Sequence, residues 1–255
     1  MKCRAVLFAL VLGLAPIAVP AAHAQSAAEH IAVGDRDRGD AAASLKHYQA
    51  ALATEPNNYD ALWKASLAAV DLGESTQDKA RQMSLYRDGQ DYARRAVQVK
   101  PNDPQGHFAL ARAVGRAAQS MGSRDRVKYA AEVRTQALEA LRFDPKHAGA
   151  LHVMGVWNAE VMRLSGVARF MAKNFLGGKV FDSANWNDAQ RYLEEAVAIE
   201  PNRITHRLDL AQVYADRNSP TKAREQIDFI AKAPATDPND AKYKREAEAL
   251  AQRLK

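Results

Sequence analysis

Leu151-His152-Val153-Met154-Gly155-Val156-Trp157-Asn158-Ala159-Glu160-Val161 carries the helical period most clearly in this chain. Leu151, Met154, Gly155 and Asn158 recur at i, i+3, i+4 and i+7, so they share one helical face, and the glycine on it lets a second helix come close. That face reads as a packing seam. Beyond an insertion, Ala189, Leu193 and Ala196 repeat the four-and-three spacing on a second helix, which Glu200-Pro201 ends because a proline cannot continue it. Working outward, the same punctuation recurs at Glu55-Pro56-Asn57, Lys100-Pro101-Asn102, Asp144-Pro145-Lys146 and Asp237-Pro238-Asn239. The five prolines are separated by 45, 44, 56 and 37 residues.

Two helices closed by a proline form one unit of the tetratricopeptide (TPR) pattern, which sets Trp, Leu, Gly and Tyr on the first helix, Ala and Phe on the second, and Pro at the end. The intervals exceed the roughly 34 residues of the plain repeat. The excess belongs in loops or extended helix ends, because the paired faces must keep their register. The expected fold is all-α: a TPR-type right-handed superhelix of antiparallel helix pairs over residues 25–255. Its units lie near 26–56, 57–101, 102–145, 146–201 and 202–238, with a capping helix at 240–254. In the first unit Ser44, Tyr48 and Ala51 hold the small and aromatic positions ahead of Pro56, with Asp40 as N-cap. The second opens at Leu62-Trp63-Lys64-Ala65, passes Leu72-Gly73 and resumes near Met83. Glu74 to Gln82, between them, reads as a solvated loop or helix extension. The last helix carries Lys242, Lys244, Arg245, Glu246 and Glu248, the polar face that an open stack needs where it ends in water.

Residues 1–24 stand apart from this pattern. Lys2 and Arg4 give a positive start, Ala5 to Val19 is apolar apart from Gly13 and Pro16, and Ala22-His23-Ala24 offers small residues around a cleavage point. The expectation is a signal peptide cleaved after Ala24 and a periplasmic or secreted chain. The apolar run of about 15 residues is shorter than the roughly 20 that a spanning helix needs. The single cysteine, Cys3, precedes the apolar run, so it does not sit where a lipoprotein cysteine would, and the mature chain has no thiol for disulfides or metal. Removing Lys2 and Arg4 leaves 34 basic against 30 acidic residues, a net of +4, too mild to argue for nucleic acid.

Five features together resemble the TPR proteins called regulators of microtubule dynamics and their bacterial relatives, over roughly Ala27 to Asn218. They are Leu62-Trp63-Lys64-Ala65; the long insertions; Leu151-His152-x-x-Gly155-x-Trp157-x-x-Glu160-Val161; Leu164-Ser165-Gly166 with an apolar-basic segment through Phe175; and Ala189 to Pro201. The resemblance implies an all-helical superhelix acting as a binding scaffold, and contact with membranes or lipids. The microtubule association of the animal members is not carried over, because the leader directs this chain away from any cytoskeleton.

Catalytic signals are missing from the sequence. The seven histidines form no H-E-x-x-H pair, there is no G-x-S-x-G turn, and neither Gly34-x-x-x-x-Gly39 nor Gly177-Gly178-Lys179 completes a phosphate loop. No enzyme, cofactor or metal site is expected. Binding has better support. In a TPR stack the first helices line the concave surface. Counting from each proline places Trp63, Lys64 and Leu67 there, then Phe108, Arg112 and Arg116, then His152, Val156 and Glu160, then Leu208, Asp209 and Gln212. Aromatic surface beside arginines suits a protein or peptide partner, and equally a lipid or fatty acid with an apolar body and an anionic head. Each of these side chains also fits a plain core or surface role. In the insertion Leu164 to Phe181, Phe170 and Phe175 join Val167, Met171 and Leu176 in an apolar face opposite Arg169 and Lys173. That segment reads as a helix packed on its own repeat with Gly177-Gly178 as C-cap, as a lid over the groove, or as a membrane contact.

Overall fold

A computed structural model describes residues 25–121, 123–166 and 178–254, and among them the chain is all-helical with no strand. Eleven α-helices follow in order: α1 (Ala27–Arg36), α2 (Ala41–Thr54), α3 (Tyr59–Ser75), α4 (Lys79–Val99), α5 (Pro104–Gln119), α6 (Ser123–Phe143), α7 (Ala148–Arg163), α8 (Trp186–Ile199), α9 (Ile204–Asp216), α10 (Pro220–Lys232) and α11 (Asp240–Arg253). A 3₁₀ turn, Gly178–Ser183, precedes α8.

The helix ends follow from local chemistry. Pro56, Pro101, Pro145 and Pro201 each lie two residues past the end of a second helix, and the residue two positions further on caps the next first helix. Asn58, Asp103 and His147 each accept a backbone N–H with their side chains. One short turn therefore stops one helix and starts the next, satisfying N–H groups that would otherwise lack partners. At the N-terminus Ser26 and Glu29 form a reciprocal capping box, and Asp40 accepts from Ala42 and Ala43 at 2.9 and 3.0 Å. The fifth unit departs from this punctuation: α10 stops at Lys232, ahead of Pro234, and Pro238 leads into α11.

Each helix packs against the next, and α3, α5, α7 and α9 also touch in succession, so the first helices form an inner layer and the second helices an outer one. The seams between paired helices are tight where glycine sits. A Cβ on Gly73 would lie 2.6 Å from the Tyr86 ring, and one on Gly155 only 2.5 Å from Leu193 Cγ. The face Leu151, Met154, Gly155 and Asn158 is buried throughout, facing Ala189, Leu193 and Ala196, all inaccessible. The Asn158 amide is satisfied inside that seam, donating to the Met154 carbonyl at 2.8 Å and accepting from the Asn185 backbone N–H at 3.1 Å.

Two parts of the chain differ from the sequence expectation. In the stretch read as a solvated loop or helix extension, α3 does extend through Ser75, and Gln77 to Arg81 are exposed. The ends of that stretch, Glu74 and Gln82, are buried, and Gln82 Nε2 donates to the Gly73 carbonyl at 3.0 Å, tying the start of α4 to the end of α3. The last helix is more than a free end in water. Tyr243, Ala247 and Leu250 pack into one core with Leu208, Ile227 and Ile230, and the side chains of Tyr243 and Asn239 reach across to α3. Arg245, Glu246 and Glu248 remain exposed, as the polar face requires. No described helix is long and apolar enough to cross a membrane.

Candidate functional site

The inner layer surrounds a cavity of about 410 Å³. Its walls come from i, i+4, i+8 stripes on successive first helices: Trp63, Leu67 and Asp71 on α3; Phe108, Arg112 and Arg116 on α5; His152, Val156 and Glu160 on α7. Asp209 and Gln212 on α9 complete the circuit. Trp63, Lys64, Phe108, Arg112, Arg116, His152 and Glu160 thus face one space, contributed by three different units. Leu208 does not, because it is buried in the core with Ile227 and Ile230. Successive residues on a helix point about 100° apart, so Asp209 takes the cavity side and Leu208 the core side. Phe170 and Phe175, with the lid, membrane-contact and packed-helix readings of their segment, lie outside the described residues.

The apolar wall is richer than the stripes alone imply. Trp157 donates its indole N–H to the Ala130 carbonyl at 2.8 Å and stacks on Phe181, with ring centroids 6.2 Å apart and an interplanar angle of 10°. Both rings are buried, and both line the cavity with Val153, Val156 and Val161. Phe181 is the last residue of the insertion, and it enters the core through the 3₁₀ turn.

Among the described residues, most of the charges in the cavity are paired, Arg38 excepted. Lys64 Nζ lies 2.6 Å from Asp35, which also accepts from the Tyr48 hydroxyl at 2.9 Å. Arg163 bridges Glu160 at 2.7 Å and Asp216 at 2.6 Å, and Arg203 contacts Asp237 at 3.1 Å. Arg112 contacts Asp71 at 2.5 Å and Glu74 at 3.2 Å, and Arg116 contacts the same Glu74 at 2.8 Å. Glu74 is the buried centre of this group, its side chain 2% exposed. Burial opposes its ionisation, but the Arg116 and Arg112 guanidiniums outweigh burial and hold its carboxyl below the ordinary range. The arginines expected to await an external anion therefore already hold two carboxylates of α3.

A second cluster joins α7 to α9. His152 Nε2 lies 2.6 Å from Asp209, and the His152 and His206 rings meet with centroids 4.5 Å apart. Burial and the neighbouring His152 push the His206 pKa down to about 4, while its Nε2 lies 3.2 Å from Glu200. Burial works against the Asp209 carboxylate, yet the His152 hydrogen bond and the Arg116 and Arg163 charges keep it ionised.

Several contributors escaped sequence reading. Glu74 continues the α3 stripe from Leu67 and Asp71, which is the signal that could have placed it on the buried side of α3, behind the cavity wall. Trp157 stands in the seam-bearing stretch itself, one residue off the glycine face. Tyr243 and Asn239, which close the network from 169 and 168 residues away, leave no local signal at all.

A family model described as "Regulator of microtubule dynamics protein 1-3" matches residues 26–255. The chain belongs to that family. Among curated relatives, regulator of microtubule dynamics protein 1 of Mus musculus is 23% identical over 199 residues, covering 77% of this chain and 64% of that protein. The Rattus norvegicus protein is 22% identical over 191 residues, covering 74% of this chain and 61% of its own length. The chain thus spans less than two thirds of the length of these relatives. Among solved structures, a thermophilic TPR protein of Thermus thermophilus matches with a TM-score of 0.63 and 18% identity, over 89% of this chain and 99% of that one. The family and this neighbour agree with an all-α TPR-type fold.

Proposed function

We propose that this protein is a non-catalytic scaffold that holds a segment of a protein partner in its central groove. The observation that carries this reading is the cavity itself: Trp63, Phe108, Val156, Trp157 and Phe181 converge from separate units on one space. Aromatic rings supply large contact area at low conformational cost. Lys64, Arg112, Arg116 and Arg163 are already paired, so affinity comes chiefly from inserted apolar side chains, with hydrogen bonds at the rim fixing register. Export guided by residues 1–24 would place that partner in the periplasm or outside the cell. The mild net charge supplies no reason to invoke nucleic acid.

A second reading, a lipid or fatty-acid carrier, is favoured by the contiguous apolar wall of Val153, Val156, Trp157, Val161 and Phe181. Photo-crosslinking separates the two. A benzophenone amino acid at Val156, in the groove, is compared with one at Arg191, exposed on α8, in the producing cell. The scaffold reading expects polypeptide adducts at Val156 and not at Arg191. Adducts of lipid mass at Val156 would favour the carrier, and polypeptide adducts confined to Arg191 would move the interaction off the groove.

A further inference from the structure

The same network that neutralises the groove arginines also fastens the C-terminus of the chain. Tyr243, on α11, donates its hydroxyl to Glu74, the carboxylate shared by Arg112 and Arg116. Asn239, just ahead of α11, donates its amide to the Asp71 backbone carbonyl at 3.0 Å. These contacts join positions 169 and 168 residues apart, from the second unit to the cap. The lead-in segment is itself ordered for the purpose. Asp240 accepts the Thr236 and Asp237 backbone N–H groups at 2.9 and 2.8 Å, and Asp237 is held by Arg203. Thr236 in turn places its carbonyl 3.8 Å from where a Cβ would stand on Gly39, in the α1–α2 turn.

The fastening bears on the groove because Asp237, Pro238 and Glu246 of the same C-terminal segment line the cavity together with Asp71 of α3. Parting that segment from α3 would widen the space between them. The contacts that must break are few and polar, whereas those holding α11 to α9 and α10 are apolar: Tyr243, Ala247 and Leu250 among Leu208, Ile227 and Ile230. Segment 233–239 contains no helix and connects α10 to α11.

We propose that the C-terminal helix is a releasable clasp: Tyr243 and Asn239, bound to Glu74 and Asp71 of α3, close the groove, and their release widens it for a partner segment. This rests on the scaffold reading but is tested without any partner, so failure of the clasp and failure of that reading are separate results. Spin labels are placed on cysteines at Ser75 and Glu248, both exposed, in the full chain carrying Cys3→Ser. The unmodified clasp gives one narrow distance distribution. Tyr243→Phe and Glu74→Gln each raise the long-distance population at least several-fold, at unchanged helical content. Asn239→Ala makes the same test without touching the buried carboxylate. Tyr214→Phe is the control, because that hydroxyl bonds Glu194 at 2.8 Å between neighbouring helices and not across the groove. The proposal is overturned when Tyr243→Phe and Asn239→Ala both retain the parental distribution, or when Tyr214→Phe broadens it equally.

Discussion

The seam between α7 and α8 and the closure between α3 and α11 hold the molecule together by opposite means. The seam is apolar and fitted: Gly155 admits Leu193 to a distance no side chain at that position would allow, between two helices consecutive in the inner-outer pairing. The closure is polar and remote, with one buried carboxylate of α3 satisfying two guanidiniums of α5 and a phenol of α11. A fitted seam tolerates no added volume. A buried ionic cluster tolerates no missing partner, since each remaining charge then stays desolvated without compensation. The first arrangement joins the two helices of one unit, and the second ties the second unit to the C-terminal helix.

The comparison can be broken from its polar side with the largest effect. Glu74→Leu leaves Arg116 without its carboxylate and Arg112 with only Asp71, and a loss of about 3–5 kcal/mol in denaturant-derived stability is expected. A cost below about 1 kcal/mol would mean the cluster is not buried as a unit.

Acid tests the second cluster. The folded state takes up the His206 proton only near pH 4, whereas an unfolded histidine does so near 6.5. Stability from this group is therefore fully present above about pH 6.5 and falls as the pH drops toward 4, by up to about 3 kcal/mol. His206→Gln should reduce the slope of the stability profile between pH 6.5 and 5, above the range where ordinary carboxylates titrate. It should leave the smaller part that the buried His147, also shifted down by burial, contributes. A slope unchanged by the substitution would place the titration elsewhere.

On the apolar side, Gly155→Ala drives a methyl against Leu193 and the Ala189 carbonyl and should cost about 1–3 kcal/mol, read as a shifted urea midpoint at constant slope. Gly39→Ala, with nothing closer than the Thr236 carbonyl at 3.8 Å, should change stability by less than about 0.5 kcal/mol. Equal effects at the two glycines would contradict the fitted-seam view.

The same contrast explains what was legible in the sequence. Seams repeat locally, at i+3 and i+4, so the spacing of Leu151, Met154, Gly155 and Asn158 is enough to announce a buried face. The prolines announce the turns, because a ring without N–H ends a helix wherever it occurs. The cavity side of α3, α5 and α7 followed from the same counting, although Leu208 on α9 was assigned one position off, to the wrong side of its helix. Pairing is what counting does not give. Arg112 and Arg116 read as open cations because their partners, Asp71 and Glu74, sit on another helix, and Tyr243 completes the set from the far end of the chain. Glu74 in particular read as the start of a solvated loop or helix extension, and only the fold supplies the counter-charges that make its burial tolerable.

The most direct measurement of the closure is a double-mutant cycle between Glu74 and Tyr243, with stability measured for the parent, Glu74→Gln, Tyr243→Phe and the double variant. A direct bond across 169 residues predicts that the two changes are not additive, with a coupling of about 1–2 kcal/mol favouring the parental pair. Additivity to within about 0.3 kcal/mol would contradict it, because Tyr243 would then hold the C-terminal helix to α3 by nothing that passes through Glu74.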